Sequence, residues 1–319
     1  MVLTEWKAKG LQDRRKPVKV RVMTYHLTLI ADPARKPLSG ALVRDLGVRF
    51  EADPAWFAAE EAVGMLVHGS SLDQAKAAAV EILLNHDAVG EVDLVMLPRR
   101  HRCRLLISDM DSTMITVECI DELADFAGVK AEVAAITRRA MGGELNFTSA
   151  LHERVRLLQG LPVDVIDEVY RERVRLMPGA RVLVQTMLGY GARAVLVSGG
   201  FIPFAERVAS ALGFEEVVAN RLEIRGDQLT GKVLDPITGP DVKLQTMQRV
   251  MRQHDFSPME TLAVGDGAND LPMIKASGFG VAFRAHAPVA EVSAASIQVG
   301  DLTALLYLQG VPKAEFFAE

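Results

Sequence analysis

The feature that most constrains this chain is an apolar run that ends abruptly in two carboxylates. Residues 105–107 are apolar, and Asp109 and Asp111 follow directly after them. A short apolar run bounded by turn-forming residues is typical of a buried strand in a parallel sheet. Open α/β sheets bind ligands beyond the carboxyl ends of their strands, and residues two apart point to the same side. We therefore predict that Asp109 and Asp111 converge on one ligand.

Two later segments repeat this arrangement, in which an apolar run is followed by polar residues and then by a helix. We call the polar residues after each run a tip. These segments end in Ser198, Gly199 and Gly200, and in Asp266, Asn269 and Asp270. Any one of these tips is more often an ordinary turn, and the Asp109 motif by itself also fits a turn with a helix cap. Because three such tips occur in order, each after an apolar run, we predict an α/β fold with a doubly wound parallel sheet. Its tips should meet in one crevice.

The predicted crevice contains four carboxylates, which at close range oppose one another's ionisation. A hard divalent cation relieves this conflict, and Mg²⁺ suits a few carboxylates together with water and phosphate oxygens. Lys243 offers a compact positive charge nearby. The set favours phosphoryl transfer, with Asp109 as a nucleophile that is ionised at neutral pH and Asp111 as the acid and base. Ser198 and backbone amides such as that of Gly199 would bind the phosphate oxygens.

Charge and cysteine content exclude several classes of function. The chain has 319 residues, a formal net charge of −5 and a pI near 5.9, whereas general nucleic-acid and membrane-surface binders are basic. Its two cysteines, Cys103 and Cys119, are too few for a disulfide framework and fit a reducing compartment. No apolar stretch approaches the roughly 20 residues of a membrane span. We therefore expect a cytoplasmic protein with a small-molecule substrate.

The sequence divides into a small N-terminal domain and a larger domain that carries the three tips. We expect a loose basic tail at residues 1–22, a first domain at 23–98, a linker at 99–104, and a second domain at 105–319 with a helical cap at about 118–176. The linker holds several arginines, and charge runs usually face water, which favours a solvated connector. A hairpin at 217–233 is expected to interrupt the larger sheet.

Residues 23–98 show the β-α-β-β-α-β order of ferredoxin-like folds. Helical spacing predicts helices over 38–46 and 72–84, and Ser70 and Ser71 are candidate caps for the second helix. A pair of strands is predicted around 48–50 and 63–67. This segment contains no catalytic constellation, so its expected role is regulatory, oligomeric or structural.

The motifs of the larger domain resemble those of the haloacid dehalogenase superfamily of phosphohydrolases. That superfamily combines a nucleophilic Asp-x-Asp-x-Thr, a Ser or Thr strand tip, a Lys and a Gly-Asp-Gly-x-x-Asp. All four occur between Asp109 and Asp270. The resemblance implies a sheet of this superfamily's type with a helical cap. It also implies that Asp109 is the nucleophile, that Asp111 is the acid and base, and that Ser198 and Lys243 bind phosphate.

The same resemblance implies a metal site and two supporting residues. Asp266 would bind one Mg²⁺ per active site, together with Asp109 and the main-chain carbonyl of Asp111. Asn269 would help hold the phosphate, and Asp270 would orient the lysine.

The helical segment after the first tip contains Glu118, Met141-Gly142-Gly143, Asn146-Phe147 and Leu151-His152-Glu153-Arg154-Val155. These residues narrow the resemblance to the phosphoserine phosphatase family, which hydrolyses O-phospho-L-serine in the last step of serine synthesis. The resemblance implies that Glu118 binds the substrate ammonium and Arg154 its carboxylate, while Met141 and Phe147 shield the site. His152 stands where relatives often carry another arginine. If that position meets the substrate, affinity or pH response will differ. Residues before about 100 resemble amino-acid-sensing ACT-like modules, which implies regulation or a homodimer through this domain.

Three alternatives stay open at this stage. Glu118 and Arg154 could be solvated residues of the cap, without a substrate role. The phosphoaspartate could pass to another small alcohol, which would make the protein a phosphotransferase, or the substrate could be another phosphorylated metabolite. In a different class, the protein could be an amino-acid sensor in which the N-terminal module does the biological work.

Overall fold

The computed structural model describes residues 23–32, 34–141 and 143–318, and it contains two β-sheets. The basic tail predicted at 1–22 lies outside the described residues. Within the described part of the chain, no helix combines the length and the apolar character needed to cross a membrane.

The N-terminal part has the predicted β-α-β-β-α-β order. Its elements are β1 (Met23–Ala31), α1 (Gly40–Phe50), β2 (Ala55–Ala58), β3 (Ala62–Gly69), α2 (Leu72–Asn85) and β4 (Val92–Leu97). The strands form an antiparallel sheet in the order β2-β3-β1-β4. Ser71 begins α2, and its hydroxyl accepts a hydrogen bond from the Gln74 amide at 3.2 Å, which is the capping that the sequence predicted. This small α+β unit matches the expected ferredoxin-like arrangement.

The strand predicted around residues 48–50 is wrong. These residues continue α1, which ends at Glu51 in the left-handed conformation with φ 51°. Phe50 packs into the core of the N-terminal part, whereas Val48 is 80% exposed. Helical spacing explains this pattern, because one face of the last turn is buried and the other faces solvent. The strand that pairs with β3 is β2 instead.

The larger sheet has seven strands in the order β11-β10-β9-β5-β6-β7-β8. Its strands are β5 (Leu105–Ser108), β6 (Arg193–Phe201), β7 (Glu216–Arg225), β8 (Gln228–Leu234), β9 (Thr261–Gly265), β10 (Phe279–Phe283) and β11 (Ala295–Ile297). Pairing is parallel except between β7 and β8. The hairpin predicted to interrupt the sheet extends it at one edge. The fold is therefore the expected doubly wound sheet with an added antiparallel strand.

Helices connect these strands and form the cap. The cap contains α3 (Cys119–Phe126), α4 (Lys130–Met141), α5 (Phe147–Arg156) and α6 (Asp164–Glu172). The remaining helices are α7 (Ala180–Gly189), α8 (Ile202–Leu212), α9 (Pro240–His254), α10 (Leu271–Ala276), α11 (Ala287–Ala290) and α12 (Ala304–Leu308), with single-turn helices at Pro258–Glu260, Ala268–Asp270 and Lys313–Glu315. The chain enters and leaves the cap side by side, since Ile115 forms a bridge with Leu176.

The N-terminal sheet packs against the larger part of the protein. Asp93 of β4 is 6% exposed, and its carboxylate accepts hydrogen bonds from the backbone amides of Gln298, Val299 and Gly300 at 2.8–3.2 Å. Apolar side chains from both parts also join one buried cluster, to which Ile30 and Tyr307 both belong. The two parts therefore share a core as well as a polar contact.

The arginine-rich connector is solvated only in part: Arg99, Arg102 and Arg104 are exposed as predicted, whereas Arg100 is not. Arg100 donates to the Thr28 hydroxyl at 2.6 Å and lies over the Phe57 ring at 5.0 Å, and burial lowers the pKa of Arg100 to about 10. Cys103 is 1% exposed. The prediction failed at Arg100 because the partners of this residue are distant in sequence, and a local charge run carries no information about them.

Candidate active site

The three predicted tips leave the larger sheet side by side. β5 lies between β6 and β9, and the register aligns Ser108 with Leu196 on one side and Val264 on the other. The Asp109 amide continues the ladder by donating to the Val264 carbonyl at 3.0 Å. Because parallel strands end at the same edge, the residues that follow them meet there. The strand order thus brings the Asp109, Ser198 and Asp266 tips to one place.

A cavity opens at this edge of the sheet, between the tips and the cap. Its walls are formed by Asp109, Asp111, Glu118, Ile120, Phe147, Leu151, Arg154, Ser198, Gly199, Gly200, Phe201, Asp266 and Asn269. Most of the predicted site residues therefore line one cavity. The sequence reasoning placed Gly200 in a tip but did not identify Ile120, Leu151 and Phe201 as part of the cavity. These apolar residues carry no signal that distinguishes a cavity wall from an ordinary core.

Lys243 lies behind Asp109 and is absent from the residues that line the cavity. Its ammonium is 0% exposed and stands 2.7 Å from Asp109 Oδ1 and 2.6 Å from Asp270 Oδ1. Burial opposes its charge, but the two carboxylates outweigh that effect and raise the pKa of Lys243. An ammonium has three donors, so one N–H is left for a third acceptor. Asp270 holds the lysine as expected.

Asp111 sits in a setting that favours its neutral form. Burial is the largest cause of its raised pKa, and the nearby Glu118 and Asp109 carboxylates add to it. Among the described residues, Asp111 Oδ1 is buried with no hydrogen-bond partner. A buried oxygen without a partner is costly when ionised. This carboxyl group is therefore suited to hold a proton and to release it to a bound group.

Three carboxylates at the tips are placed to hold a cation. One oxygen from each of Asp109, Asp266 and Asp270 lies within 4.8 Å of the others. Burial and the Asp109 charge raise the pKa of Asp266 to about 7, and the same causes raise the pKa of Asp270 to about 8. Thr113 donates to Asp266 Oδ1 at 3.0 Å and fixes its orientation. A hard oxygen donor set of this kind fits Mg²⁺, and a cation would remove the repulsion that raises these pKa values.

The cap contributes opposite charges to the cavity. Glu118 precedes α3 and accepts a hydrogen bond from the Ser112 hydroxyl at 2.7 Å, with Ser112 in the left-handed conformation at φ 56°. Burial, followed by the Asp109 charge, raises the pKa of Glu118, while Ser112 and Arg154 oppose that shift. Arg154 of α5 donates from Nε to the Ala150 carbonyl at 3.3 Å. The cavity thus presents one anionic and one cationic group on the cap side.

Phe147 reaches the sheet from the start of α5. Its ring lies so close to Gly199 and Gly239 that a Cβ at either position would stand 2.9 Å or 3.1 Å from it. The shielding role predicted for Phe147 fits this position, since the ring covers the second tip.

Two other cap residues are not brought to the cavity. Met141, predicted to shield the site, is 73% exposed at the end of α4 and does not line the cavity. His152 is exposed on α5 and also lies outside the lining. Both side chains are exposed to solvent, and a motif match does not by itself tell which residues of a cap helix line the cavity.

Comparisons with known sequences and structures show the family to which the chain belongs. Residues 106–275 match the haloacid dehalogenase-like hydrolase family. The chain belongs to this family. Among curated relatives, it is 41% identical over 250 residues to a phosphoserine phosphatase of Archaeoglobus fulgidus, covering 77% of this chain and 72% of the relative. It is 44% identical over 210 residues to a phosphoserine phosphatase of Polaromonas, covering 64% of this chain and 89% of the relative.

A solved structure also resembles the whole described architecture. The unliganded structure of a probable phosphoserine phosphatase from Vibrio cholerae aligns with a TM-score of 0.73 and 29% sequence identity, covering 91% of this chain and 88% of the other. This coverage includes both the smaller and the larger sheet. The fold class predicted from the sequence is confirmed.

Proposed function

We propose that this protein is a phosphoserine phosphatase that hydrolyses O-phospho-L-serine to L-serine and phosphate, the last step of serine biosynthesis. The observation that carries the proposal is one cavity in which Asp109, Asp111 and Ser198 face Glu118 and Arg154. The first group suits phosphoryl transfer, and the second suits the ammonium and carboxylate of an amino acid. Relatives of that name at 41% and 44% identity support the same activity.

The first chemical step is attack of an Asp109 carboxylate oxygen on phosphorus. The bond between phosphorus and the serine oxygen breaks, and that oxygen takes the proton of Asp111, so L-serine leaves and a phosphoaspartate remains. In the second step, Asp111 removes a proton from water as the water attacks phosphorus. Phosphate leaves, and Asp109 and protonated Asp111 are restored. The raised pKa of Asp111 fits both tasks.

Charge on the phosphoryl group is balanced by groups fixed before the reaction. Ser198 and the Gly199 amide would donate to phosphate oxygens, and the buried Lys243 ammonium lies 2.7 Å from Asp109. Asp109 and Asp266, with the Asp111 carbonyl, would hold one Mg²⁺, which when bound supplies further neutralisation of the transferring group. Asp270 supports the site through its contact with Lys243.

The cap would select the substrate. Glu118 would bind the ammonium, and Arg154 would bind the carboxylate through two parallel hydrogen bonds. Phe147 and Leu151 offer apolar surface that excludes water from the reacting group. The presence of one anionic and one cationic group on the cap side of the cavity suits an amino-acid zwitterion better than the phosphate ester of an uncharged alcohol.

The location and assembly predicted from the sequence belong to this proposal. The two cysteines are free and buried, which supports a reducing compartment such as the cytoplasm. The homodimer through the N-terminal part, the sensing role of that part, and the proposed domain limits at 98 and 105 stay predictions.

The test is steady-state phosphate release by the full-length protein with Mg²⁺ over a panel of phosphorylated metabolites. We expect kcat/KM to be highest for O-phospho-L-serine and far lower for phosphorylated alcohols without an ammonium and carboxylate. A higher value for another phosphoester would reject the assignment. Repeating the assay with L-homoserine as acceptor tests transfer, and formation of O-phosphohomoserine faster than free phosphate would make the protein a phosphotransferase.

A further inference from the structure

The phosphate-binding tip, residues 198–200, is a bulge in β6 whose residues lack regular strand partners in β7. Val197 pairs with Val218 of β7, and the next pair is Phe201 with Asn220. Three residues of β6 therefore stand opposite the single residue Ala219. A bulge of this size leaves backbone groups without ladder hydrogen bonds, and buried backbone groups need other partners.

Asn220 supplies those partners through its side chain. The residue is 0% exposed. Its Nδ2 donates to the Gly199 carbonyl at 2.9 Å and to the Thr238 carbonyl at 3.1 Å, and its Oδ1 accepts from the Thr238 amide at 2.7 Å. One amide group thus joins the bulge of β6 to the segment that follows β8.

The second segment joined by Asn220 carries the catalytic lysine. Gly239 follows Thr238 directly and begins α9, and the Lys243 amide donates to the Gly239 carbonyl at 3.1 Å in the first turn. Fixing both backbone groups of Thr238 therefore fixes where this helix starts. The position of the Lys243 ammonium beside Asp109 depends on that start.

The cap also closes on the two segments that Asn220 joins. Phe147 packs against Gly199 and Gly239, one from each segment. Both positions lack a side chain, so the ring rests on backbone. Any change in the distance between the two segments would alter this contact and the Ser198 tip together.

We propose that Asn220 is a positioning residue that fixes the phosphate-binding tip, the start of α9 and the backbone against which Phe147 packs. The proposal rests on the proposed phosphatase function. Asn220 does not line the cavity, so it acts through the backbone of Gly199 and Thr238. An amide is required because the side chain must donate to two carbonyls and accept from one N–H. A carboxylate of the same shape would repel both carbonyls.

The experiment compares Asn220→Ala and Asn220→Asp with a matched control, Gln309→Ala. Gln309 is a buried amide that also bonds backbone, through the Cys103 amide at 2.8 Å and the Leu305 carbonyl at 3.0 Å. Cys103 precedes β5, so these bonds lie at the end of the sheet away from the tips. The control therefore reports the cost of losing a buried amide without disturbing the site.

All variants are assayed with Mg²⁺ at a temperature at which thermal unfolding shows each to be folded. Measurements are kcat and KM for phosphoserine and for p-nitrophenyl phosphate, and inhibition by inorganic phosphate. Because small displacements of reacting groups slow a reaction strongly, we expect kcat of both Asn220 variants to fall by about tenfold or more on both substrates. We also expect weaker phosphate inhibition, and Gln309→Ala should keep wild-type values despite its lower stability.

The outcomes separate this inference from the proposed function. If the wild-type protein hydrolyses p-nitrophenyl phosphate but not phosphoserine, the substrate assignment fails. The role of Asn220 can then still be tested from kcat on p-nitrophenyl phosphate. If either Asn220 variant folds and keeps wild-type kcat and phosphate inhibition, the positioning role is rejected. Losses of equal size in Gln309→Ala would also reject it, because they would show a general stability effect.

Discussion

The Lys243 ammonium lies 2.6 Å from Asp270 Oδ1, and both side chains are fully buried. The same ammonium lies 2.7 Å from Asp109 Oδ1. One buried cation therefore offsets the negative charges of both Asp109 and Asp270. Burial of a charge is tolerated only when partners compensate it, so this contact serves stability as well as catalysis.

Replacing Lys243 by Met should destabilise the metal-free protein by about 3–5 kcal/mol, since two buried carboxylates lose their counter-charge. Chemical denaturation in EDTA measures this change. Lys130→Met is the matched control, because Lys130 pairs with Asp125 at 3.8 Å while the two side chains are 54% and 38% exposed, and exposed pairs contribute about 1 kcal/mol or less. Equal costs for the two variants would contradict the role assigned to the buried pair.

Replacing Asp109 by Asn should abolish phosphate release, with a loss in kcat of more than about a thousandfold, since the amide is a poor nucleophile. Asp270 still pairs with Lys243 in this variant, so we expect the protein to stay folded. Phosphate release with Mg²⁺ and a thermal unfolding curve check both points. A variant that retained most of its activity would refute the assignment of the nucleophile.

Replacing Arg154 by Ala should impair phosphoserine far more than p-nitrophenyl phosphate. A hydrogen bond to a charged group is worth about 1.5–3 kcal/mol, or roughly tenfold to a hundredfold in kcat/KM. Arg139→Ala is the control, because Arg139 also lies in the cap but pairs with Glu153 at 2.9 Å. Equal losses on both substrates would remove the argument for carboxylate recognition.

Affinity for Mg²⁺ should rise with pH up to about neutrality. Burial and the Asp109 charge raise the pKa of Asp266 from 3.8 to about 7. The folded metal-free protein keeps a proton here that the unfolded chain has lost, so the contribution of Asp266 to stability is present below pH 3.8 and is lost as pH rises through about 7.

A metal ion must displace that proton, so its affinity should increase by up to about tenfold per pH unit below neutrality. Titration with Mg²⁺ at pH 6 and pH 8, followed by the thermal unfolding midpoint, tests this. We expect half-maximal stabilisation at a lower Mg²⁺ concentration at the higher pH. Identical titrations at the two pH values would argue against Asp266 as a ligand.

Replacing Asp93 by Ala should cost about 3 kcal/mol in stability, because buried backbone amides lose their acceptor. The kcat should stay at the wild-type value, since these contacts lie outside the cavity. Denaturant unfolding and steady-state assays measure the two effects. Asp45→Ala is the control, since Asp45 is a 61% exposed partner of His86. A stability loss no larger than that of the control would show that the contact does not hold the two parts together.

Much of the site was predictable because its chemistry sits at strand ends. Asp109, Ser198 and Asp266 each follow an apolar run, and parallel strands place such residues at one edge. Lys243 was selected as a positive charge for the crevice and as a match to the family's lysine, but its burial between two carboxylates was not visible in the sequence. A lysine on a helix shows nothing about which distant strands it meets.

The failures share one physical cause, which is that tertiary contacts override local patterns. Residues 48–50 looked like a strand, but Phe50 gains burial by extending α1. Arg100 looked solvated, yet Thr28 and Phe57 enclose it. Nothing in the sequence marks Asn220 as buried or functional. A single polar residue in a strand could equally face solvent, and its role becomes visible only once the bulge in the neighbouring strand β6 is known.

The apolar cluster that contains Ile30 and Tyr307 ties β1 to α12. Stacking of Phe57 on Tyr307, with ring centroids 6.1 Å apart, strengthens that link. Because of this apolar contact, an N-terminal part taken from another protein would pack here only if its surface were complementary to α12. The contact also means that heat should melt the whole protein in a single cooperative transition, with catalysis and the amino-terminal sheet lost together.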